Sequence, residues 1–268
     1  MRLNIPHLAL AIGLISAATA VWHSTSFGDE SPSADEAAKQ ARIEYIQRAL
    51  KGEASPVPGK RVVSAGTGFY VTAQRVLTNR HVVDGCAGLT LRGIDGKTVV
   101  VTIAATDKTQ DLALVNTSHA PSTSIATFRP SAYRAGDIIG TIGYPDQGLP
   151  RIVPFLTRGL VLGPDHQGKP VRFAVRADIR PGNSGGPVFD PQGVVIGIMN
   201  AKIDTVSVYK KTGRTVDNIG FAIATGPIFD FLARHGVKPI MNESRMTTPE
   251  SDLLDKVKPF TVRLSCWR

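Results

Sequence analysis

Between residues 61 and 225 the chain is cut into short runs rich in Val, Ile and Thr, separated by Gly, Pro and Asp, with little helical periodicity. Such runs form strands, because β-branched side chains pack well on a pleated surface and the intervening residues supply the reversals. Many short strands punctuated in this way close into barrels or sandwiches, so the expected fold class is all-β. The whole chain has 268 residues. Once a leader is set aside that is room for one such unit, since all-β folds of about 200 to 250 residues commonly form a single domain. No internal repeat is visible. Helical spacing is confined to the ends: Ile43, Ile46 and Leu50 in an alanine-rich stretch from Ser33 to Lys51, and an amphipathic stretch from Pro227 to His235. Gly52 to Lys60 reads as a linker, and the polar segment from Asn242 to Asp255 as a loop.

Chemistry enters with Gly182-Asn183-Ser184-Gly185-Gly186-Pro187, which follows the strand-like run Val171 to Ile179. A serine in a glycine-rich turn suits acyl transfer, because glycines let the backbone curl until two N–H groups point at one oxyanion position. An ordinary glycine turn has the same composition, so the rest of the constellation decides. A serine hydroxyl needs an imidazole to take its proton and a carboxylate to orient that imidazole. Of six histidines, His81 alone has a patterned context, an apolar strand running into a short turn at Val76-Leu77-Thr78-Asn79-Arg80-His81-Val82-Val83. For the carboxylate, Asp111 opens the strand Asp111-Leu112-Ala113-Leu114-Val115 and is placed for burial at its mouth. Its rivals are Asp84, which is too close in sequence to His81, and Asp107, in a polar turn beside Lys108.

These residues carry a resemblance. Gly66-Thr67-Gly68-Phe69, the His81 segment, Asp111-Leu112-Ala113-Leu114, Gly182 to Pro187 and Ile219-Gly220-Phe221-Ala222-Ile223 match, in order, the trypsin-like protease domain of the HtrA/Deg type over about residues 61 to 235. The order His, Asp, Ser is that of the chymotrypsin fold. The resemblance implies two six-stranded antiparallel β-barrels with the site between them, flanked by short N-terminal and C-terminal helices. It implies a serine endopeptidase with Ser184 as nucleophile, His81 as general base and Asp111 as its orienting partner. The backbone N–H groups of Gly182 and Ser184 would form the oxyanion hole. Asn183 stands where digestive relatives carry an aspartate that pairs with a new N-terminus; a neutral amide cannot form that ion pair. A catalytically silent peptide-binding module on the same fold is the alternative.

Specificity is open at the sequence level. Asp178 lies six residues before Ser184, the offset of a pocket-floor carboxylate selecting Arg or Lys, yet Arg176 and Arg180 flank it as ion partners. The opposite wall is expected from Ile198, Met199, Asn200 and Ala201, read as an apolar edge strand that an extended substrate could pair with. Arg2, the apolar run Leu8 to Ala18 and Ala18-Thr19-Ala20 read as a signal peptide over 1–20, giving an exported, periplasmic or secreted protein, with an uncleaved membrane anchor as the lesser reading. The remaining divisions are 21–60 as N-terminal helix and linker, 61–235 as the protease domain and 236–268 as a C-terminal tail. There is no room for a PDZ domain, so the oligomeric state stays open. An oxidising compartment would let the two cysteines, Cys86 and Cys266, pair and tether that tail; two free thiols are the other reading. Polypeptide substrates are the expected partners. The formal charge of +9 suggests at most a weak attraction to anionic envelope surfaces. Nucleic-acid motifs are lacking, and neither metal-ligand spacing nor a cofactor signature occurs, so no metal and no cofactor is expected.

Overall fold

A computed structural model describes residues 55–268 apart from 121–123, 131–132, 146–151, 165–170, 203–209, 211–212, 214–217 and 244–247, together with six helical positions between 35 and 44. The leader expected over 1–20, and Ile46 and Leu50 of the expected first helix, lie outside the described residues.

The chain runs through β1 (Val62–Thr72), β2 (Arg75–Asn79), α1 (Arg80–Val83), β3 (Gly88–Arg92), β4 (Thr98–Asp107), β5 (Leu112–Asn116) and β6 (Thr127–Phe128). It continues as β7 (Ile138–Gly143), β8 (Phe155–Pro164), β9 (Arg172–Ala177), β10 (Pro187–Phe189), β11 (Val195–Lys202), β12 (Ile219–Ala224), α2 (Thr225–Arg234) and β13 (Ile240–Met241). It ends with α3 (Glu250–Val257), a 3₁₀ turn and β14 (Thr261–Trp267). Two closed antiparallel barrels result. The first has the order β1-β14-β3-β4-β5-β2; in the second, β7-β8-β9-β12-β11 closes through β10, and β6 and β13 add in parallel on the outside of β11.

Residues read as strands therefore form strands, and closure removes the exposed edges that short strands would otherwise leave. Alternation places Phe69, Leu77, Leu91, Leu114 and Leu264 in the first barrel, all at or below 1% exposed. Phe173, Val175, Val188 and Met199 fill the second. Phe128 bridges the two, its ring 6.2 Å from that of Phe69 and 5.7 Å from that of Phe229 on α2.

The C-terminal segment departs most from the sequence reading. Part of the stretch expected as loop is α3, because Leu253 and Val257 share a helical face and are buried against Gly193 in the β10–β11 turn. The end of the expected tail is β14, a full member of the first barrel between β1 and β3. Its Trp267 donates an indole hydrogen bond to Thr90 (2.9 Å), and Cys266 is joined by a disulfide to Cys86 just beyond α1, with Cα atoms 5.2 Å apart. The helix expected from Pro227 to His235 is α2, Thr225–Arg234, and it covers one end of the second barrel through Ile228, Phe231 and Leu232.

Candidate active site

Asp111 and His81 meet at the mouth of the first barrel. β2 runs antiparallel to β5, with Asn79 opposite Leu112, so the residue that follows β2 and the one that precedes β5 are neighbours. Asp111 takes a left-handed backbone, φ 55°, which aspartate tolerates better than most residues. Its carbonyl oxygen accepts from the Arg80 N–H (3.0 Å) and the Asn79 side-chain amide (3.1 Å). Its carboxylate then faces the start of α1. Oδ1 accepts the His81 backbone N–H (2.9 Å) and Oδ2 pairs with His81 Nδ1 (2.7 Å). Burial alone would raise the carboxyl pKa; hydrogen bonds and charge from His81, with a further bond from Asn200, outweigh it and leave Asp111 below its ordinary value. With Nδ1 committed to the carboxylate, Nε2 is the nitrogen left to accept a proton.

The two rival carboxylates are used elsewhere. Asp84 pairs with Arg80 on an exposed turn of α1 (2.9 Å). Asp107 pairs with Arg234 (2.6 Å) and accepts the N–H groups of Thr109 and Gln110.

Ser184 sits in the turn between β9 and β10, held by a network of backbone bonds. The Asn183 N–H donates to the Arg180 carbonyl (3.0 Å), Gly186 to Asn183 (2.9 Å) and Gly185 to Met199 (2.8 Å). Gly182 and Gly185 have φ of 97° and 83°. A Cβ at Gly182 would strike the Tyr144 carbonyl oxygen, and one at Gly185 the Thr67 carbonyl oxygen, so both positions demand glycine on two counts. Among the described residues, the N–H groups of Gly182 and Ser184 are engaged by no partner. Two free donors flanking a serine are what an oxyanion would need. The Ser184 hydroxyl itself donates to the Asn200 carbonyl (3.2 Å) rather than to His81.

Asn200 joins the two halves. The β11–β12 register slips between Met199 and Ala201, making Asn200 an extra residue in a β-bulge. Bulges re-aim side chains, and here the amide Nδ2 donates to Asp111 Oδ2 (2.6 Å) while the carbonyl accepts Ser184 Oγ. The sequence reading had Asn200 as pocket wall; its side chain is directed to the carboxylate. Ile198 and Met199 are fully buried and belong to the core. Nor is β11 an edge there, since Ile198 pairs with Pro187 and Met199 exchanges backbone bonds with Gly185 and Gly186. Only beyond Met199, at Asn200, Ala201 and Lys202, does β11 pair with β12 on one side and with no described strand on the other. Asp178 is about half exposed and is bound by Arg180 through Nε (2.9 Å) and Nη2 (2.5 Å). The Arg180 guanidinium also lies 5.9 Å from the Phe155 ring. Among the described residues no cluster of His, Cys, Asp and Glu could hold a metal.

Two antiparallel barrels with an Asp–His pair from the first and a glycine-bound serine from the second define the trypsin-like peptidase domain. The model of that family, described as the trypsin-like peptidase domain, matches residues 66–198. The chain carries this domain, and HtrA-type serine proteases are among its relatives and structural neighbours. It is 31% identical over 205 residues to an uncharacterised protein of Sinorhizobium fredii, covering 76% of this chain and 32% of that one. To a serine protease of Mycobacterium tuberculosis it is 30% identical over 190 residues, 68% of this chain and 45% of the relative. The crystal structure of that protease in its active form superimposes with a TM-score of 0.52 at 26% identity, covering 68% of this chain and 78% of that one. The HtrA-type protease AlgW, with a tripeptide, gives a TM-score of 0.54 at 27% identity over 65% and 57% of the two chains. The chain thus spans between about a third and a half of the length of these curated relatives.

Proposed function

We propose that the protein is a serine endopeptidase that cuts extended or unfolded polypeptides through an acyl-enzyme. The observation that carries this is Asn200, which bonds both to the carboxylate that holds His81 and to Ser184, whose flanking N–H groups are unengaged among the described residues. Ser184 Oγ bonds to the scissile carbonyl carbon while its proton passes to His81 Nε2. The carbonyl oxygen, now negative, is held by the N–H groups of Gly182 and Ser184. The C–N bond breaks as His81 returns the proton to the leaving amine. Water, deprotonated by His81, then hydrolyses the ester and restores Ser184. Asp111 keeps the imidazole in the required tautomer and stabilises its protonated form.

The substrate strand would add to the open side of β11 at Asn200 to Lys202. The Arg180 pair neutralises Asp178 and supports a small aliphatic residue before the cut rather than Arg or Lys. The leader-like sequence over 1–20 and the Cys86–Cys266 bond support export to the cell envelope or beyond, where unfolded envelope proteins are the substrates. One observation favours the binding-module reading: the Ser184 hydroxyl donates to Asn200 O, so it must leave that carbonyl before His81 can take its proton.

The test is to incubate the protein and its Ser184→Ala variant with a serine-directed fluorophosphonate and with denatured casein, sequencing the cut sites. Labelling and cleavage by the wild type alone are expected, with Val, Ala or Ile before the cut. Casein left whole by a protein that also resists the label would favour the module.

A further inference from the structure

Resting on the peptidase reading just given, we infer that Thr67, a residue of the first barrel, is the positioning residue that holds the oxyanion turn of the second in its donating form. Thr67 is fully buried on β1, and all of its polar groups are in use. Its Oγ1 donates to the carbonyl oxygen of Gly182 (2.6 Å) and accepts the N–H of Tyr144 (2.9 Å). Its backbone N–H donates to the carbonyl oxygen of Ser184 (2.8 Å), and its own carbonyl accepts the Thr78 hydroxyl (2.6 Å). One side chain with its backbone therefore grips the carbonyls of both residues whose N–H groups would face the oxyanion.

Peptide geometry turns that grip into orientation. In a trans peptide the N–H and C=O point in opposite directions, so fixing a carbonyl fixes the N–H of the next residue. The Gly182 carbonyl is held by Thr67 and the adjoining Asn183 N–H by Arg180, so the 182–183 peptide is pinned at both ends. The Gly186 N–H holds the Asn183 carbonyl, which leaves the Ser184 N–H aimed the other way. The remaining freedom lies at Gly182, where glycine permits a peptide flip that would turn its N–H out of the site. Removing the Thr67 hydroxyl releases one end of that hinge. It also strips a partner from the Tyr144 N–H, on the segment against which Gly182 packs. Thr67 touches no reacting atom; it acts on chemistry through the turn.

The test compares wild type, Ser184→Ala, Thr67→Val and Thr67→Ser on a peptide cut by the wild type. Valine keeps the shape and strand preference of threonine, so Thr67→Val removes the two hydroxyl bonds and little else. Its kcat is expected to fall about ten- to a hundredfold, somewhat less than the loss of a whole oxyanion donor. KM should stay within about twofold, the signature of an interaction made in the transition state. Thr67→Ser should recover most of the turnover, which a purely volumetric role would not give. Unchanged kcat in a folded Thr67→Val overturns the role of Thr67 alone; equal rates for wild type and Ser184→Ala remove the peptidase reading and this role with it. A second measurement needs no variant: in a wild-type crystal with a peptide boronate on Ser184, Thr67 Oγ1 is expected to stay within about 3 Å of the Gly182 carbonyl. Loss of that bond in the adduct overturns the proposal, even where Thr67→Val fails to fold.

Discussion

Asn200 shows how a residue can be central through a contact that the sequence does not reveal. Its neighbours Ile198 and Met199 are apolar, so the segment reads as a pocket wall, and no local signal marks the extra residue that turns its amide toward Asp111. A bulge depends on how two strands register, which one strand's pattern does not contain. His81, Asp111 and Ser184 can be chosen from the sequence for the opposite reason. Each stands at the end of a strand pattern, and the fold needs the same strands that the site needs. Losing a hydrogen bond to a charged group costs about 1.5 to 3 kcal/mol. Asn200→Ala is therefore expected to lower kcat about ten- to a hundredfold with KM little changed, as read from steady-state kinetics. Asn200→Asp would set a second carboxylate beside the His81–Asp111 pair, and the added negative charge would favour the protonated imidazole that cannot act as base, so the acid limb of the pH–rate profile should move upward. Asp111 also links stability to pH. A carboxyl held below its ordinary pKa in the fold favours the folded state above that ordinary value, and the contribution is lost as pH falls through the lowered one. The difference in Tm between wild type and Asp111→Asn should therefore be largest near neutrality and shrink in acid; a constant difference would refute the linkage.

Among the elements, the barrel strands were readable and the C-terminal pair was not. Val262, Leu264 and Cys266 alternate with Arg263 and Ser265, which is strand-like, but nothing local says that this strand pairs with β1 and β3, more than 170 residues earlier. The helix before it was hidden by length: α3 has eight residues, of which Leu253, Leu254 and Val257 are the apolar ones, too few to stand out from a polar stretch. Pairing of Cys86 with Cys266, by contrast, was an expectation from sequence that the structure contains. The bond closes a loop with a sequence separation of 180 and fastens β14 beside the element that carries His81. Chain-entropy reasoning gives such a loop about 4 to 5 kcal/mol. The Cys86→Ala/Cys266→Ala double variant should lose about that much in urea unfolding, with m rising because the freed chain unfolds to a more expanded state. Reductant should bring the wild type to the same curve and leave the variant where it was.

At the scale of the molecule, the path of the chain ties the barrels together more firmly than two domains in sequence would be. After the second barrel is complete, α3 packs on its β10–β11 turn, where Lys256 also donates to the Gln192 carbonyl (2.5 Å), and β14 then returns to close the first. The buried residues agree: one apolar cluster contains Phe69, Leu77 and Leu91 of the first barrel together with Phe189, Ile198 and Ile223 of the second. Phe128 stands at their junction, fully buried, with aromatic neighbours from both sides. A cleft formed by two bodies sharing a core keeps its width, which the proposed site, split as His81 and Asp111 against Ser184, requires. Unfolding should therefore be a single transition with equal calorimetric and van't Hoff enthalpies, even though a chain of this size often departs from two-state behaviour. Phe128→Ala is the discriminating variant, since truncating a buried Phe costs about 3 to 5 kcal/mol. If the barrels are one cooperative unit, the whole transition moves to lower temperature and stays single, and intrinsic fluorescence from Trp267 in the first barrel shifts together with far-ultraviolet circular dichroism. Two separated transitions, with the Trp267 signal following only one of them, would mean that the barrels unfold independently and that the shared core does not set the geometry of the cleft.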